Sequence, residues 1–134
     1  MASLEVHLVT PEREVWTGEA SMVVARGTEG EVGILGGHAP LLIQLAIGPL
    51  LITADSGERV AAAIDGGFLH VISSGSDSRV DVLAEYAELE NEIDVERARR
   101  QKEDAERRIA SEENGAAQAD LAKALTRLEL RGES

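Results

Sequence analysis

The order of apolar and polar positions divides the chain into two regions. In "LEVHLVT" (4–10), Leu4, Val6 and Leu8 fall on one face of a period-two pattern, the signature of a half-buried strand. "SMVVARG", "EVGIL", "PLLIQLAIG", "PLLITA", "RVAAAIDGG", "FLHVIS" and "RVDVLA" follow at short spacing. Turn residues separate them: Pro11, Gly18, Gly27, Gly30, Gly36-Gly37, Gly48-Pro49, Asp55-Ser56-Gly57, Asp65-Gly66-Gly67 and the stretch 73–78. Many short strands between such turns predict a β-sandwich or barrel over residues 1–84.

The period then changes. Residues 85–134 contain no proline, hold only Gly115 and Gly132 as glycines, and are dominated by the helix formers Ala, Glu, Arg and Leu. Asp94 reads as an N-cap and Asn114-Gly115 as a stop, which predicts helices over 94–113 and 116–130 joined by a tight turn. The first would be about 30 Å long. Their seam would draw on Val95, Ala98, Ala105 and Ile109 facing Ala117, Leu121, Ala124, Leu125 and Leu128. So few large apolar side chains suit either a rigid appendage or an arm that detaches.

Composition narrows the function. At 134 residues the chain can bury one modest core. Its net charge of −12 repels nucleic acid and anionic lipid, and Trp16, Phe68 and Tyr86 are its whole aromatic content, too few to stack bases. Without cysteine it has neither a disulfide framework nor a thiolate nucleophile or ligand. "MASLEVHLVTPERE" lacks the basic flank and apolar run of a signal peptide. "APLLIQLAIGPLLITA" (39–54) is short for a membrane span and is interrupted by Gly48-Pro49. These features predict a cytosolic protein that meets a membrane only through a partner.

No phosphate-binding glycine loop, nucleophile elbow or zinc-protease motif occurs. His7, His38 and His70 are scattered, and His7 and His70 alternate with apolar neighbours, so no metal site is expected. "GTEGEVGILGGHAPLL" (27–42) is richer. Its glycines permit tight turns and close backbone approach. A glycine-rich sandwich corner accounts for it, and so does a loop shaped for another protein with Glu29, Glu31 and His38 exposed.

"GEVGILGGHAPLL", "AAAIDGGFLHV" (61–71), "VDVLAEYAE" (80–88) and "EIDVERAR" (92–99) occur in the order and spacing of the F-type ATP synthase epsilon subunit, which the chain resembles along nearly its whole length. The resemblance implies an α+β fold: an all-β sandwich of about ten strands (1–88), then an antiparallel two-helix hairpin (89–134). It implies a non-catalytic rotor subunit on the cytoplasmic face of the cell membrane. Its partners would be the gamma subunit, the c-ring and the catalytic alpha/beta hexamer. The loop 29–38, with Glu29, Glu31, Gly33 and His38, would dock on the rotor foot and ring. The hairpin would lie folded or extend into the hexamer to block hydrolysis, a role suited to the basic residues Arg97, Arg99, Arg100, Lys102, Arg107 and Arg108. Three departures stand out. Gly36 replaces a proline usual before the glycine-histidine pair, the loop 73–78 is longer than usual, and the chain ends soon after Arg131, which would shorten an extended helix.

The "DVERARR" stretch has two readings. The pairs Glu96–Arg100, Arg99–Glu103, Arg100–Asp104, Glu103–Arg107 and Asp104–Arg108 sit at i, i+4 and would form a ladder at about 0.2–0.5 kcal/mol each. Lys123, Arg127 and Arg131 instead follow at i, i+4 and i+8 with no acid between them on that face, tolerable near a helix C-terminus. The resemblance adds a ligand. No cofactor is required, but in some members the folded hairpin gathers residues matching Glu88, Ile93, Asp94, Arg97, Ala98, Lys123 and Arg127 around a regulatory ATP, which would stabilise the folded, non-inhibiting state. Lys123 stands where the strongest binders have arginine, replacing a planar fork by a point charge. The rival class is a free-standing β-sandwich binding module with an oligomerising helical tail, separable by co-purification with a rotor protein.

Overall fold

The computed structural model describes residues 3–74, 77–111 and 115–133. Seven strands precede two helices: β1 (Leu4–Val9), β2 (Glu14–Gly27), β3 (Gly30–Leu35), β4 (Leu41–Ala54), β5 (Arg59–Ser74), β6 (Asp77–Ala84), β7 (Ala87–Leu89), α1 (Val95–Ile109) and α2 (Ala116–Leu130). They form one sheet ordered β1-β6-β5-β4-β2-β3, with β7 on β5. The sheet closes because β1 pairs with β6 in parallel and with the first half of β2 antiparallel. The second half of β2 serves β3 and β4. Leu4, Val6, Leu8, Val23, Ile34, Leu50, Ile52, Leu69, Val71, Val80 and Val82 fill the interior.

The eight strand segments read from the sequence become six of these strands because two turn signals that separated segments lie inside strands, and the short β7 is added to them. At Gly48-Pro49, β4 continues through. The β2 register jumps from Leu50 opposite Ala25 to Leu45 opposite Gly27, so Pro49 lacks its N–H where β4 has no β2 partner. At Asp65-Gly66-Gly67, β5 continues but exchanges β7 for β6 on one side. Gly67 has φ +133°, and a Cβ there would lie 2.2 Å from the Leu83 carbonyl oxygen, so only glycine permits this crossing. Of the long loop 73–78, residues 75 and 76 lie outside the described residues; Ser73 pairs with Ser78 and Ser74 with Asp77 on either side.

Asp94 caps α1, its carboxylate accepting from the Arg97 amide at 3.1 Å. The helix ends at Ile109 rather than 113, giving a length of about 22 Å. Ser111 closes a tighter turn, its amide and hydroxyl both donating to the Arg108 carbonyl. The expected stop residue Asn114 and positions 112–113 lie outside the described residues. The second helix follows its expected span, and Gly132 (φ +70°) ends it. The Gly132 amide donates to the Glu129 carbonyl and the Glu133 amide to that of Leu128, a Schellman closure.

The helices run antiparallel over a seam of small residues. Ala98 and Ala105 meet Ala117 and Ala124, with Leu128 at one end. Leu125, expected in the seam, is 40% exposed, while Thr126 and Arg127 are buried instead. The reason is that α2 has two contacts, one with α1 and one with β4 and β5 of the sheet. The Thr126 hydroxyl is satisfied within the helix by the Ala122 carbonyl at 2.9 Å.

Candidate functional site

Between hairpin and sheet lies a cavity of about 600 Å³, lined by Asp65, Tyr86 and Glu88 from the β domain, by Glu92 and Asp94 from the connector, and by the facing sides of α1 and α2. Of the seven residues proposed to hold a nucleotide, Glu88, Asp94, Arg97, Ala98, Lys123 and Arg127 line it. Ile93 does not; it is buried, 5% exposed, in the connector. The volume falls within the roughly 300–1,000 Å³ range of small-molecule sites.

The geometry converges on Arg127. Its side chain is 6% exposed, and its Nη1 and Nη2 donate to the two carboxylate oxygens of Asp65 at 2.8 and 2.9 Å. Its Nε donates to Glu88, and Nη1 also reaches the Lys123 carbonyl at 2.9 Å. The guanidinium lies over the Tyr86 ring, 5.9 Å from its centroid. Burial alone would lower the Arg127 pKa, but the hydrogen bonds and charges of Asp65 and Glu88 outweigh it and raise it. Of the row Lys123–Arg127–Arg131, Lys123 has an acid on its own helix, while Arg127 takes carboxylate oxygens from the β domain and Arg131 carbonyl oxygens from the connector. Arg131 donates to the carbonyls of Glu90 and Ile93, and Lys123 approaches Asp120 at 4.0 Å.

The salt-bridge ladder forms only in part. Asp104 meets Arg108 at 3.4 Å as expected, but Arg108 lies closer to Asp120 of α2, at 2.8 Å. Arg99 pairs with Glu96 and, across the hairpin, with Glu133 at 3.1 Å. Cross-helix partners compete successfully because the alanine seam brings the helices close.

A second clamp holds the connector. Both carboxylate oxygens of Glu92 take hydrogen bonds from Arg13, at 2.9 and 2.8 Å, and Oε1 also accepts from the Leu89 amide. The Arg13 hydrogen bond, followed by that of Leu89, holds the Glu92 pKa below the ordinary carboxylate value.

The expected docking residues are dispersed along one corner. Glu29, Glu31 and Gly33 are exposed at β3 and its turn, while His38 is half-buried, its carbonyl accepting from Ser73. A neighbouring feature was not foreseen. Leu42, Phe68, Ile72 and Leu83 are 65, 49, 42 and 52% exposed on the outer face of β4, β5 and β6. They share this face with Gln44, His70, Arg79 and Asp81, a mixed surface of exposed apolar and polar side chains that makes it a candidate for protein contact. Asp65, Tyr86, Gln101 and Asp120 were likewise not singled out. The one sequence signal for Asp65 was an acid ending the apolar run "AAAI", which reads equally as a turn residue.

Residues 3–90 match the family model described as the ATP synthase delta/epsilon chain, β-sandwich domain, and the chain belongs to that family. Within it, relatives named ATP synthase epsilon chain cover most of this chain. That of Streptomyces avermitilis is 49% identical over 78% of this chain and 81% of its own length, and that of Thermobifida fusca 54% over 78% and 75%. The Shouchella clausii relative is 40% identical over 97% of this chain and 96% of itself, so the hairpin is included. Among solved structures, a chain of the Euglena gracilis mitochondrial ATP synthase OSCP/F1/c-ring assembly superposes with TM-score 0.77 at 28% identity, covering 96% of this chain and 81% of that one. A chain of the Tetrahymena thermophila central stalk/c-ring superposes with TM-score 0.57 at 18% identity, covering 96% of each, a likeness of fold.

Proposed function

We propose that this chain is a non-catalytic rotor subunit of the central stalk of a proton-translocating ATP synthase. It joins the gamma subunit to the c-ring, and its hairpin restrains ATP hydrolysis by the alpha/beta hexamer. The observation that carries this reading is family membership along the chain, hairpin included. The face that exposes Leu42, Phe68, Ile72 and Leu83 adjoins the loop through the Ser73–His38 hydrogen bond, and together they make a docking surface. No helix among the described residues is long and apolar enough to cross a membrane, and attachment at its cytoplasmic face runs through the complex.

The build of the hairpin supports a brake. It rests on the sheet through α2, and α1 packs principally on α2 through alanines, so little apolar surface must be exposed to release it. The test is hydrolysis by the assembled complex carrying either the full chain or one ending at Glu90, which keeps β7 whole. Release of the brake raises hydrolysis and leaves synthesis coupled; equal hydrolysis in the two complexes removes the inhibitory role.

The cavity favours a second, compatible role as an ATP sensor. Six of the seven expected residues surround it, and Arg97, Arg108, Lys123 and Arg127 supply cations for phosphates. A nucleotide held there by both the sheet and the hairpin would favour the folded hairpin by differential affinity. Titration of the full chain with ATP by calorimetry tests it.

A further inference from the structure

In the ligand-free chain Arg127, the cation best placed for a phosphate, is already occupied. Four of its five N–H groups donate, two to Asp65, one to Glu88 and one to the Lys123 carbonyl. The Asp65 contact is the two-pronged, planar arrangement that a guanidinium also makes with a phosphate group. One cation between two carboxylates leaves a net negative cluster, and the cavity as a whole has six acids (Asp65, Glu88, Glu92, Asp94, Asp104, Asp120) to four bases, so an arriving phosphate meets repulsion.

We propose that Asp65 is an internal stand-in for the nucleotide's phosphate. It holds the hairpin down when no nucleotide is present and sets the affinity of the site by competing for Arg127. This rests on the reading of the cavity as a nucleotide site and adds a residue and a direction to it. Asp65 is fixed for the task. Its amide donates to the Tyr86 carbonyl at 2.9 Å, and the Gly66-Gly67 crossing that follows it is backbone-determined, so the carboxylate points across the interface from a rigid strand. Glu88, in the short strand β7, holds the remaining edge of the guanidinium. A nucleotide engages Arg127 only by displacing a two-pronged carboxylate. ATP therefore binds weakly, and it adds to the stability of the folded hairpin only at concentrations high enough to displace Asp65.

Asp65→Asn keeps the shape and removes the charge. In the full chain the variant is expected to bind ATP about tenfold more tightly than the parent, the scale of one charged hydrogen bond. Even if half of its hairpins undock, apparent affinity drops only about twofold, so the gain remains visible. Without ATP, dyes on two introduced cysteines, Ser21→Cys on β2 and Glu106→Cys on α1, should report more open hairpin in the variant; the chain's lack of cysteine makes the labelling specific. If Asp65→Asn fails to give the parental β circular dichroism, Asp65→Ser takes its place. A measurement on the parent needs no variant: the Arg127 Nε–H resonance should shift along the same ATP titration curve that calorimetry records. ATP binding with equal or weaker affinity in the variant, or an Arg127 resonance unmoved at saturation, overturns the competitor role while leaving the nucleotide site standing. Heatless, shiftless titrations of parent and variant alike overturn the nucleotide site, and the competitor with it.

Discussion

Arg13, in the turn between the first two strands, grips both carboxylate oxygens of Glu92, 79 residues later, with hydrogen bonds of 2.9 and 2.8 Å. Glu92 closes the short 3-10 turn Glu90–Glu92 that leads into the hairpin, so this pair ties the root of the helical arm to the turn between β1 and β2.

The pair gives a pH prediction. Because the Arg13 hydrogen bond holds the folded Glu92 carboxyl below the ordinary glutamate range, its contribution to folding is present above that range and is lost as pH falls through the lower folded value. Arg13→Ala removes the leading cause of the depression. Carboxyl-carbon NMR should show the Glu92 midpoint moving up toward the ordinary value, and amide exchange should quicken across 90–93. A midpoint that stays put would assign the depression to the Leu89 amide.

Gly33 offers a clean separation of folding from docking. A Cβ built there meets no heavy atom within 4 Å. Gly33→Leu should therefore change stability by no more than about 0.5 kcal/mol, as surface substitutions do, while reducing incorporation into the rotor. Normal incorporation in a pull-down with gamma would remove β3 from the docking surface.

Gly67→Ala is the opposite case. The added methyl would lie 2.2 Å from a carbonyl oxygen at φ +133°. Thermal melting should show a loss of more than about 2 kcal/mol, from backbone strain together with displacement of β6.

Arg127→Ala should open the hairpin without unfolding the sheet. It leaves Asp65 and Glu88 facing each other with no cation, and breaking a buried pair from one side costs about 3–5 kcal/mol. Limited proteolysis should cut within α1 and α2 and leave a resistant fragment ending near residue 90. A variant as resistant as the parent would mean that the alanine seam and Ile93 suffice to hold the arm.

Much of the architecture was legible because its signals are local. Alternation marked Leu4, Val6 and Leu8 as interior, and Asp94 opens α1 by chemistry confined to a few neighbouring residues. Gly48-Pro49 and Gly66-Gly67 misled as strand ends because whether a turn signal ends a strand depends on its partners. A proline is harmless where its neighbour strand has bulged away. The cavity was legible only through resemblance: Glu88, Asp94, Arg97, Ala98, Lys123 and Arg127 share no local pattern. Asp65 was out of reach, since its meaning comes from an arginine 62 residues downstream. Leu125 was misplaced for a related reason, because a helix with two contacts does not bury a single stripe.

The closure of β1 onto both β2 and β6 has a mechanical consequence. An open sheet pulled at an edge strand unzips one hydrogen bond at a time, whereas the ring β1-β6-β5-β4-β2 offers no such starting point, with β3 and β7 attached outside it as edges. A twisting load on its outer face is shared as shear across the ladders of β4, β5 and β6. For the proposed rotor role, such a body would be stiff against twist, while the arm clamped to it by Arg127 and by the Arg13–Glu92 pair could move without opening the ring.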